Sequence, residues 1–302
     1  MNGGAKFIWI LEGLFVVFAW SASKIMIKMG LETMPPYLLA AAIQLVALIG
    51  ITIYWLLHRH HQPLRLNRSE IYLMVLNGLV AFAGAKIFSI IGLQYVTGST
   101  AGLIATTSVI FSALLAYVAL RERPSLWQYV GLIMILAGSY VFLERNLLSG
   151  TVFGVLILLI AEAAFAFNNV VTRLLSKRPE DVSITVNLVG NLVGAMVLVP
   201  IGMVNSNWTT AQWSWQMIAV VVAAGLIFGF GGLMWSRVLD RLRVVEVAVL
   251  LNTMMIQVAL LSTLFLSEIL TMRNIGGGLL VLAGAFVADR QLIAPARKVR
   301  TK

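Results

Sequence analysis

Residues 120–141 read LRERPSLWQYVGLIMILAGSYV, and residues 266–287 repeat the pattern as LSEILTMRNIGGGLLVLAGAFV without a gap. The alignment pairs Glu122 with Glu268, and it pairs the Leu-Ala-Gly triplets near the ends of the two stretches. The first and sixth apolar segments match at nearly the same offset, with Lys24 aligned to Asn169. An internal repeat therefore runs through the chain, and it divides the sequence into units at 1–146 and 147–302.

The composition indicates that both units lie in a membrane. The chain is 60% hydrophobic and 11% charged, whereas soluble domains carry about a quarter charged residues. A helix needs about 20 apolar residues to cross the hydrocarbon layer. Six stretches of about that length contain no Asp, Glu, Lys or Arg: Tyr37–Leu57, Gly98–Leu120, Ser125–Leu143, Val182–Val204, Trp213–Ser236 and Val247–Ser267. Four more apolar stretches carry charges or are short: Phe7–Met29, Ile71–Tyr95, Thr151–Thr172 and Asn274–Ala288.

Each unit then holds five helices, and five is an odd number. The second unit must therefore enter the membrane from the side opposite to the first, which makes the duplication an inverted repeat of the kind found in alternating-access transporters. The sequence predicts an all-α integral membrane protein of ten transmembrane helices, arranged as two inverted five-helix repeats. The second repeat ends in a short basic tail.

The distribution of the 22 Lys and Arg residues predicts the topology. With ten spans and a cytoplasmic amino terminus, all but five of them fall on the cytoplasmic side; the exceptions are Lys28, Arg145 and Arg273 outside, and Lys24 and Lys86 within spans. Such a bias is typical of membrane topology, so the net charge of +10 does not indicate nucleic-acid binding. We expect a multi-pass protein of a bacterial-type plasma (inner) membrane with both termini in the cytoplasm.

The sequence contains no recognisable catalytic constellation. It has no cysteine, and neither a G-x-x-x-x-G-K-[ST] phosphate loop nor a GxSxG or HExxH motif occurs. We therefore expect no catalytic residues, no metal site and no cofactor. The expected partners are a small-molecule substrate and the lipid bilayer, with the chain as a monomer or homodimer.

The duplicated L-x-E…G…LAG blocks in a ten-helix chain resemble the EamA branch of the drug/metabolite transporter superfamily, and the likeness is greatest over Gly92–Phe142. The resemblance implies a pseudo-twofold basket whose central cavity is lined mainly by helices 1, 3, 4, 6, 8 and 9. It also implies secondary transport, by export, of a small organic metabolite such as an amino acid. Val109 and Met255 stand where the family often has a proline.

Lys86 and Glu162 are the strongest candidates for the substrate site. Each lies near the middle of a predicted span, where a charge costs about 2.5–3.5 kcal/mol on insertion scales. Three interpretations are open: a structural ion pair, direct contact with substrate, and proton coupling through Glu162. A zwitterion such as an amino acid would place its carboxylate at Lys86 and its ammonium at Glu162.

The remaining candidates occupy matched positions in the two repeats. Some of them are polar and the others are aromatic. The alternative to substrate contact is a hydrogen bond to its own helix for the threonine, and packing for the aromatic residues. These candidates are Lys24, Asn169, Thr106, Asn252, Trp20, Phe165 and Trp235. A membrane-embedded enzyme or receptor, or a passive channel, could use the same cavity.

Overall fold

The structure is a computed structural model, and it describes residues 3–57, 66–108, 110–112, 114–115, 126–142, 149–175, 181–207, 211–242 and 244–289. Over those residues the chain forms ten helices and no strand. The helices are α1 Gly3–Gly30, α2 Pro36–Leu57, α3 Arg68–Tyr95, α4 Gly98–Ala105, α5 Leu126–Phe142, α6 Ser149–Leu175, α7 Asp181–Asn205, α8 Trp215–Arg241, α9 Val244–Phe265 and α10 Met272–Asp289. The predicted all-α fold of ten helices is confirmed.

Among the residues that the structure describes, six helices contain a segment that is long and apolar enough to cross a membrane. The segments are Phe7–Gly30, Pro36–Leu57, Arg68–Tyr95, Thr151–Thr172, Val182–Asn205 and Trp215–Leu239. Three of these segments contain the charged residues Lys24, Lys86 and Glu162. In the sequence, these charges interrupt otherwise apolar stretches. All three side chains line the cavity inside the helix bundle.

The contacts between helices follow the repeat. Among the helix pairs in contact are α5 with α10, α2 with α7, α4 with α9, α1 with α8, and α3 with α6. Exchanging helices 1–5 for helices 6–10 leaves the first three pairs unchanged and converts the α1–α8 pair into the α6–α3 pair. The two units are therefore related by a pseudo-twofold axis, as the inverted repeat predicts, and every one of these contacts joins one unit to the other.

Glycines bring α5 and α10 into backbone contact. A Cβ atom on Gly138 would lie 2.7 Å from the carbonyl oxygen of Gly277, and a Cβ atom on Gly284 would lie 2.7 Å from the Cβ atom of Met134. Small residues serve this purpose between membrane helices because lipid offers no hydrophobic driving force for their association. The glycines of the two repeated Leu-Ala-Gly triplets thus lie in the same helix contact.

Two helices depart from regular α geometry in the middle of the bundle. Residues Gly78–Ala85 of α3 form a π-helical segment, and Lys86 is the first residue after it. In the turn that directly follows α4, the backbone amides of Thr106 and Thr107 donate to carbonyl oxygens three residues earlier rather than four. Such irregularities are frequent at functional sites, and both lie beside the cavity described next.

Candidate functional site

A central cavity of about 140 Å³ lies between the two repeats. It is lined by α1, α3, α4, α6, α7, α8 and α9, whereas α5 and α10 contribute no lining residue among those described. The family resemblance implied these lining helices except α7, which adds Asn187 and Asn191. Seven predicted site residues line the cavity: Trp20, Lys24, Lys86, Glu162, Phe165, Asn169 and Trp235.

Two predicted site residues lie elsewhere. Thr106 is 1% exposed, and its hydroxyl donates to the carbonyl oxygen of Leu103 at 2.7 Å, which is the local bond that a threonine in a membrane helix commonly makes. Asn252 is 5% exposed, and its Oδ1 has no hydrogen-bond partner among the described residues. Neither side chain reaches the cavity, so neither is placed to contact a solute in it.

Glu162 forms an ion pair with a cation from the other repeat, and that cation is Lys24 rather than Lys86. The Lys24 Nζ donates to Glu162 Oε1 at 3.3 Å, and both side chains are largely buried. The pairing of Lys86 with Glu162, which was one interpretation of the sequence, is not found in the structure. The α1 and α6 helices are thus joined across the cavity by an ion pair.

Lys86 is 4% exposed, and within the described part of the chain no carboxylate lies in salt-bridge range of it. Its Nζ donates to Gln44 Oε1 and lies 4.7 Å from the centroid of the Phe228 ring, a distance at which a cation is attracted by an aromatic face. These are neutral partners. A proton on Lys86 is therefore not balanced by any described carboxylate.

A chain of amides holds Gln44 in the orientation that Lys86 needs. Gln44 Nε2 donates to the carbonyl oxygen of Asn191 at 2.9 Å and to its Oδ1 at 3.1 Å. Asn191 Nδ2 in turn donates to the carbonyl oxygen of Asn187 at 2.8 Å. Because the amino group of Gln44 is committed to α7, its oxygen must face Lys86.

Glycines on α7 create the space for this arrangement. A Cβ atom on Gly194 would lie 2.7 Å from Gln44 Nε2, and a Cβ atom on Gly190 would lie 2.5 Å from the Phe82 ring. The sequence G-x-x-x-G at 190–194 therefore lets α2 and α3 approach α7 closely enough for Gln44 to bridge them.

Aromatic rings form the apolar part of the wall. Trp20 and Trp235 come from different repeats and their ring centroids lie 5.2 Å apart at an interplanar angle of 59°. Phe82, Phe165 and Phe228 complete the set of aromatic lining residues. The cavity thus combines flat apolar surfaces with a few charged and amide groups, which is the usual make-up of a small-molecule site.

The helix ends beyond the cavity are tied together on one side of the bundle. Lys28, at the end of α1, donates to the carbonyl oxygens of Leu93 and Val96 at the end of α3. Glu268, which follows α9, accepts bonds from the backbone amides of Gly98 at 2.6 Å and Ser99 at 3.0 Å where α4 begins. Glu122, the repeat mate of Glu268, lies outside the described residues.

Sequence reasoning missed Gln44, Phe228, Asn187 and Asn191. Gln44 is the sole amide side chain in the apolar stretch Tyr37–Leu57, and a lone buried amide in a membrane helix is a signal that could have marked it. The described residues hold no group of three or more His, Asp or Glu side chains close enough to bind a metal ion.

The geometry is that of a polytopic helical membrane protein with a solute-sized cavity between inverted repeats, and comparison with known proteins identifies its family. The sequence model of the EamA-like transporter family matches residues 7–143 and again residues 152–288. The chain belongs to the EamA-like transporter family, as its resemblance predicted.

The chain is similar to proteins that are named as transporters. The uncharacterized transporter YoaV of Bacillus subtilis is 22% identical over 277 residues, which are 90% of this chain and 93% of that protein. An uncharacterized transporter of Archaeoglobus fulgidus is 22% identical over 284 residues, which are 94% of this chain and 99% of that protein. The S-adenosylmethionine/S-adenosylhomocysteine transporter of Chlamydia trachomatis serovar L2 is 32% identical over 114 residues, which are 38% of this chain and 34% of that protein.

A crystal structure aligns with 93% of this chain over 97% of its own chain, with a TM-score of 0.64 and 19% sequence identity. This likeness shows the fold alone. The family and the named relatives indicate a transporter rather than an enzyme.

Proposed function

We propose that this protein is a secondary transporter that exports a small organic metabolite by alternating access, with the central cavity as its solute site. The observation that carries the proposal is the position of the cavity. It lies between the two repeats, near the middle of the spans, and its charged lining residues Lys24, Lys86 and Glu162 come from both repeats. A solute held there contacts both units at once, so movement of one unit against the other changes the side to which the site opens.

The contacts at the helix ends support such a movement. Lys28 joins α1 to α3, and Glu268 joins the segment after α9 to α4, through hydrogen bonds to backbone groups at one end of the bundle. These bonds close that end beside the cavity. Opening it requires that a few hydrogen bonds break while the glycine-mediated contact of α5 with α10 stays intact, so the change is a limited rearrangement rather than unfolding.

Counterflow in proteoliposomes tests the carrier mechanism. Purified protein would first be screened by thermal shift against amino acids, nucleosides, sugars, amines and carboxylic acids, and a stabilising compound would be used as the labelled solute. We expect saturable uptake that is accelerated by unlabelled solute on the opposite side. Uptake that rises linearly without counterflow would indicate a passive channel, and chemically altered solute would indicate an enzyme.

Direction and coupling need separate measurements. Export predicts that cells expressing the protein accumulate less of the solute than cells expressing a variant with Glu162 replaced by alanine. Proton coupling through Glu162 predicts that an imposed pH gradient drives uptake, whereas a facilitator would ignore it. We propose a bacterial-type inner membrane as the location of the protein, with both termini in the cytoplasm.

A further inference from the structure

We propose that the solute is a monoanion, a small carboxylate with an apolar, flat body, whose acid group binds Lys86. The inference rests on the proposed carrier function, because it assigns a charge class to the solute of the same cavity. It replaces the zwitterion expected from sequence, for which Lys86 and Glu162 would have been opposite poles.

The charge balance of the cavity is the first step. The described lining residues that carry charge are Lys24, Lys86 and Glu162. The Lys24–Glu162 ion pair neutralises two of these charges, which leaves one positive charge at Lys86. A buried charge without a counter-ion is costly in a bilayer, and a bound anion supplies the missing counter-ion.

The second step concerns the ammonium group that a zwitterion would bring. The carboxylate available to receive it is Glu162, which already bonds Lys24 at 3.3 Å. An incoming ammonium would have to compete with a cation that belongs to the protein. The site is therefore matched to the acid group of a solute and not to an additional amine.

The third step is the orientation of the Lys86 ammonium. One of its three N–H donors meets Gln44 Oε1, and the amide bonds from Gln44 to Asn191 keep that oxygen in place. The two other donors remain for a ligand, since every described partner of Lys86 is neutral and the Phe228 ring is not a hydrogen-bond acceptor of comparable strength. Gln44 is thus a positioning residue for the ammonium.

The remaining cavity wall indicates the size and polarity of the part of the solute that does not bind Lys86. The cavity volume of about 140 Å³ is close to that of an engineered apolar cavity of about 150 Å³ that binds benzene. The rings of Trp20, Trp235 and Phe165 supply flat apolar surface around it. A carboxylate attached to one ring-sized apolar group fits both the charge and the space.

Four compounds with a common phenylpropyl skeleton separate the charge classes. They are 3-phenylpropionate, phenylalanine, 3-phenylpropan-1-amine and 3-phenylpropan-1-ol, which are an anion, a zwitterion, a cation and a neutral molecule at pH 7. Binding of each to the purified full-length protein in detergent would be measured by calorimetry. We expect the anion to bind most tightly, and the absence of binding by 3-phenylpropionate, or tighter binding of any of the other three, would overturn the proposal.

Variants of Lys86 and Gln44 test the residue assignment. Lys86→Met should weaken binding of the anion by about 10- to 100-fold, whereas Lys86→Arg should retain most of it. Gln44→Glu would place a carboxylate against Lys86 and should abolish the preference for the anion. Because this variant also loses the amino group that donates to Asn191, its melting temperature is measured alongside its binding. The matched control is Arg68→Met, which removes one exposed positive charge from the same helix and should leave the affinity unchanged.

The outcomes for the two proposals are distinguishable. Anion binding that depends on Lys86 without counterflow in proteoliposomes contradicts the carrier function and leaves the charge assignment intact. Counterflow of phenylalanine or the amine that is unaffected by Lys86→Met contradicts the charge assignment and leaves the carrier function intact. Lys86→Met protein that melts at the wild-type temperature and binds the anion with wild-type affinity also overturns the assignment.

Discussion

Lys24 and Glu162 form a buried ion pair between the two repeats, and the pair can be dissected by a double-mutant cycle. Lys24→Met or Glu162→Gln alone would leave a charge without its partner, and such a change costs up to about 3–5 kcal/mol of stability. The double variant should recover most of the loss, because it leaves no charge behind. Thermal unfolding of the four proteins in one detergent measures the coupling.

The same cycle with Lys86 in place of Lys24 is the control. Lys86 and Glu162 are not paired in the structure, so their effects on stability should add. Additive effects for the Lys24 pair together with strong coupling for the Lys86 pair would show that the ion pair has been assigned to the wrong lysine.

Sequence reasoning reached many of the cavity residues because charges within spans and aromatic residues at repeated positions are unusual enough to notice. It could not choose the partner of Glu162. Lys24 and Lys86 lie on different helices, and which of them meets Glu162 depends on the rotation of α1 and α3 about their axes. That rotation is set by packing, including the contact of Phe82 with Gly190, which no single span encodes.

At the scale of single helices, two adjacent glycines of α10 differ in how closely other atoms surround them. A Cβ atom on Gly277 would lie 2.5 Å from the backbone nitrogen of Phe142, whereas a Cβ atom on Gly276 would meet nothing within 4 Å. Gly277→Ala should therefore destabilise the protein by about 1–3 kcal/mol through overpacking against a backbone that cannot yield. Thermal unfolding of Gly277→Ala in detergent measures this loss.

Gly276→Ala is the matched control for that measurement. It adds the same methyl group in open space, where alanine favours the helix by up to about 1 kcal/mol, so its melting temperature should equal or exceed that of the wild type. Equal losses for the two variants would contradict the described contact of α5 with α10.

The helices themselves were largely predictable from hydropathy, because a bilayer permits few alternatives to a helix. Their internal irregularities were not. The π-helical segment Gly78–Ala85 and the turn at Thr106 and Thr107 lie within apolar stretches that show no helix-breaking proline. Each depends on which carbonyl accepts each amide proton, a choice made by packing around the cavity rather than by local composition.

At the scale of the whole molecule, the distribution of basic residues predicts the orientation in the membrane. The chain has no native cysteine, so single cysteines can be labelled without background. Ser69 at the start of α3 should lie in the cytoplasm, and Asn205 at the end of α7 should face outwards. We expect an impermeant maleimide to label Asn205→Cys but not Ser69→Cys in intact cells.

Lysed cells provide the control for that experiment, because both cysteines should then react. Labelling of Ser69→Cys in intact cells would invert the proposed orientation. Labelling of both positions in intact cells would contradict the placement of α3 and α7 as parallel spans that start on the same side.

The repeat also predicts how the two ends of the bundle open. Arg173 on α6 aligns with Lys28 on α1, whose hydrogen bonds to α3 close one end of the bundle. In the alternative state, in which that end is open, we expect Arg173 to close the opposite end. The reporter is Ser89→Cys, a cavity position on α3. Its labelling from outside should become faster with Lys28→Met and should not become faster with Arg173→Met.

Equal acceleration by Lys28→Met and Arg173→Met would indicate general loosening and would contradict opposite roles for the two residues. Lys86→Arg, which keeps the charge in the cavity, serves as a further control and should leave the labelling rate of Ser89→Cys unchanged.

The pairing of α1 with α8 and of α6 with α3 has a consequence for energetics. In a protein with two identical halves, exchanging the conformations of the halves would give a second state of equal free energy, and the protein would populate both states evenly. Any preference for one state must therefore come from positions where the halves differ, such as Lys28 against Arg173 and Lys24 against Asn169. Divergence after the duplication broke this degeneracy, and substitutions that make the halves more alike should restore it.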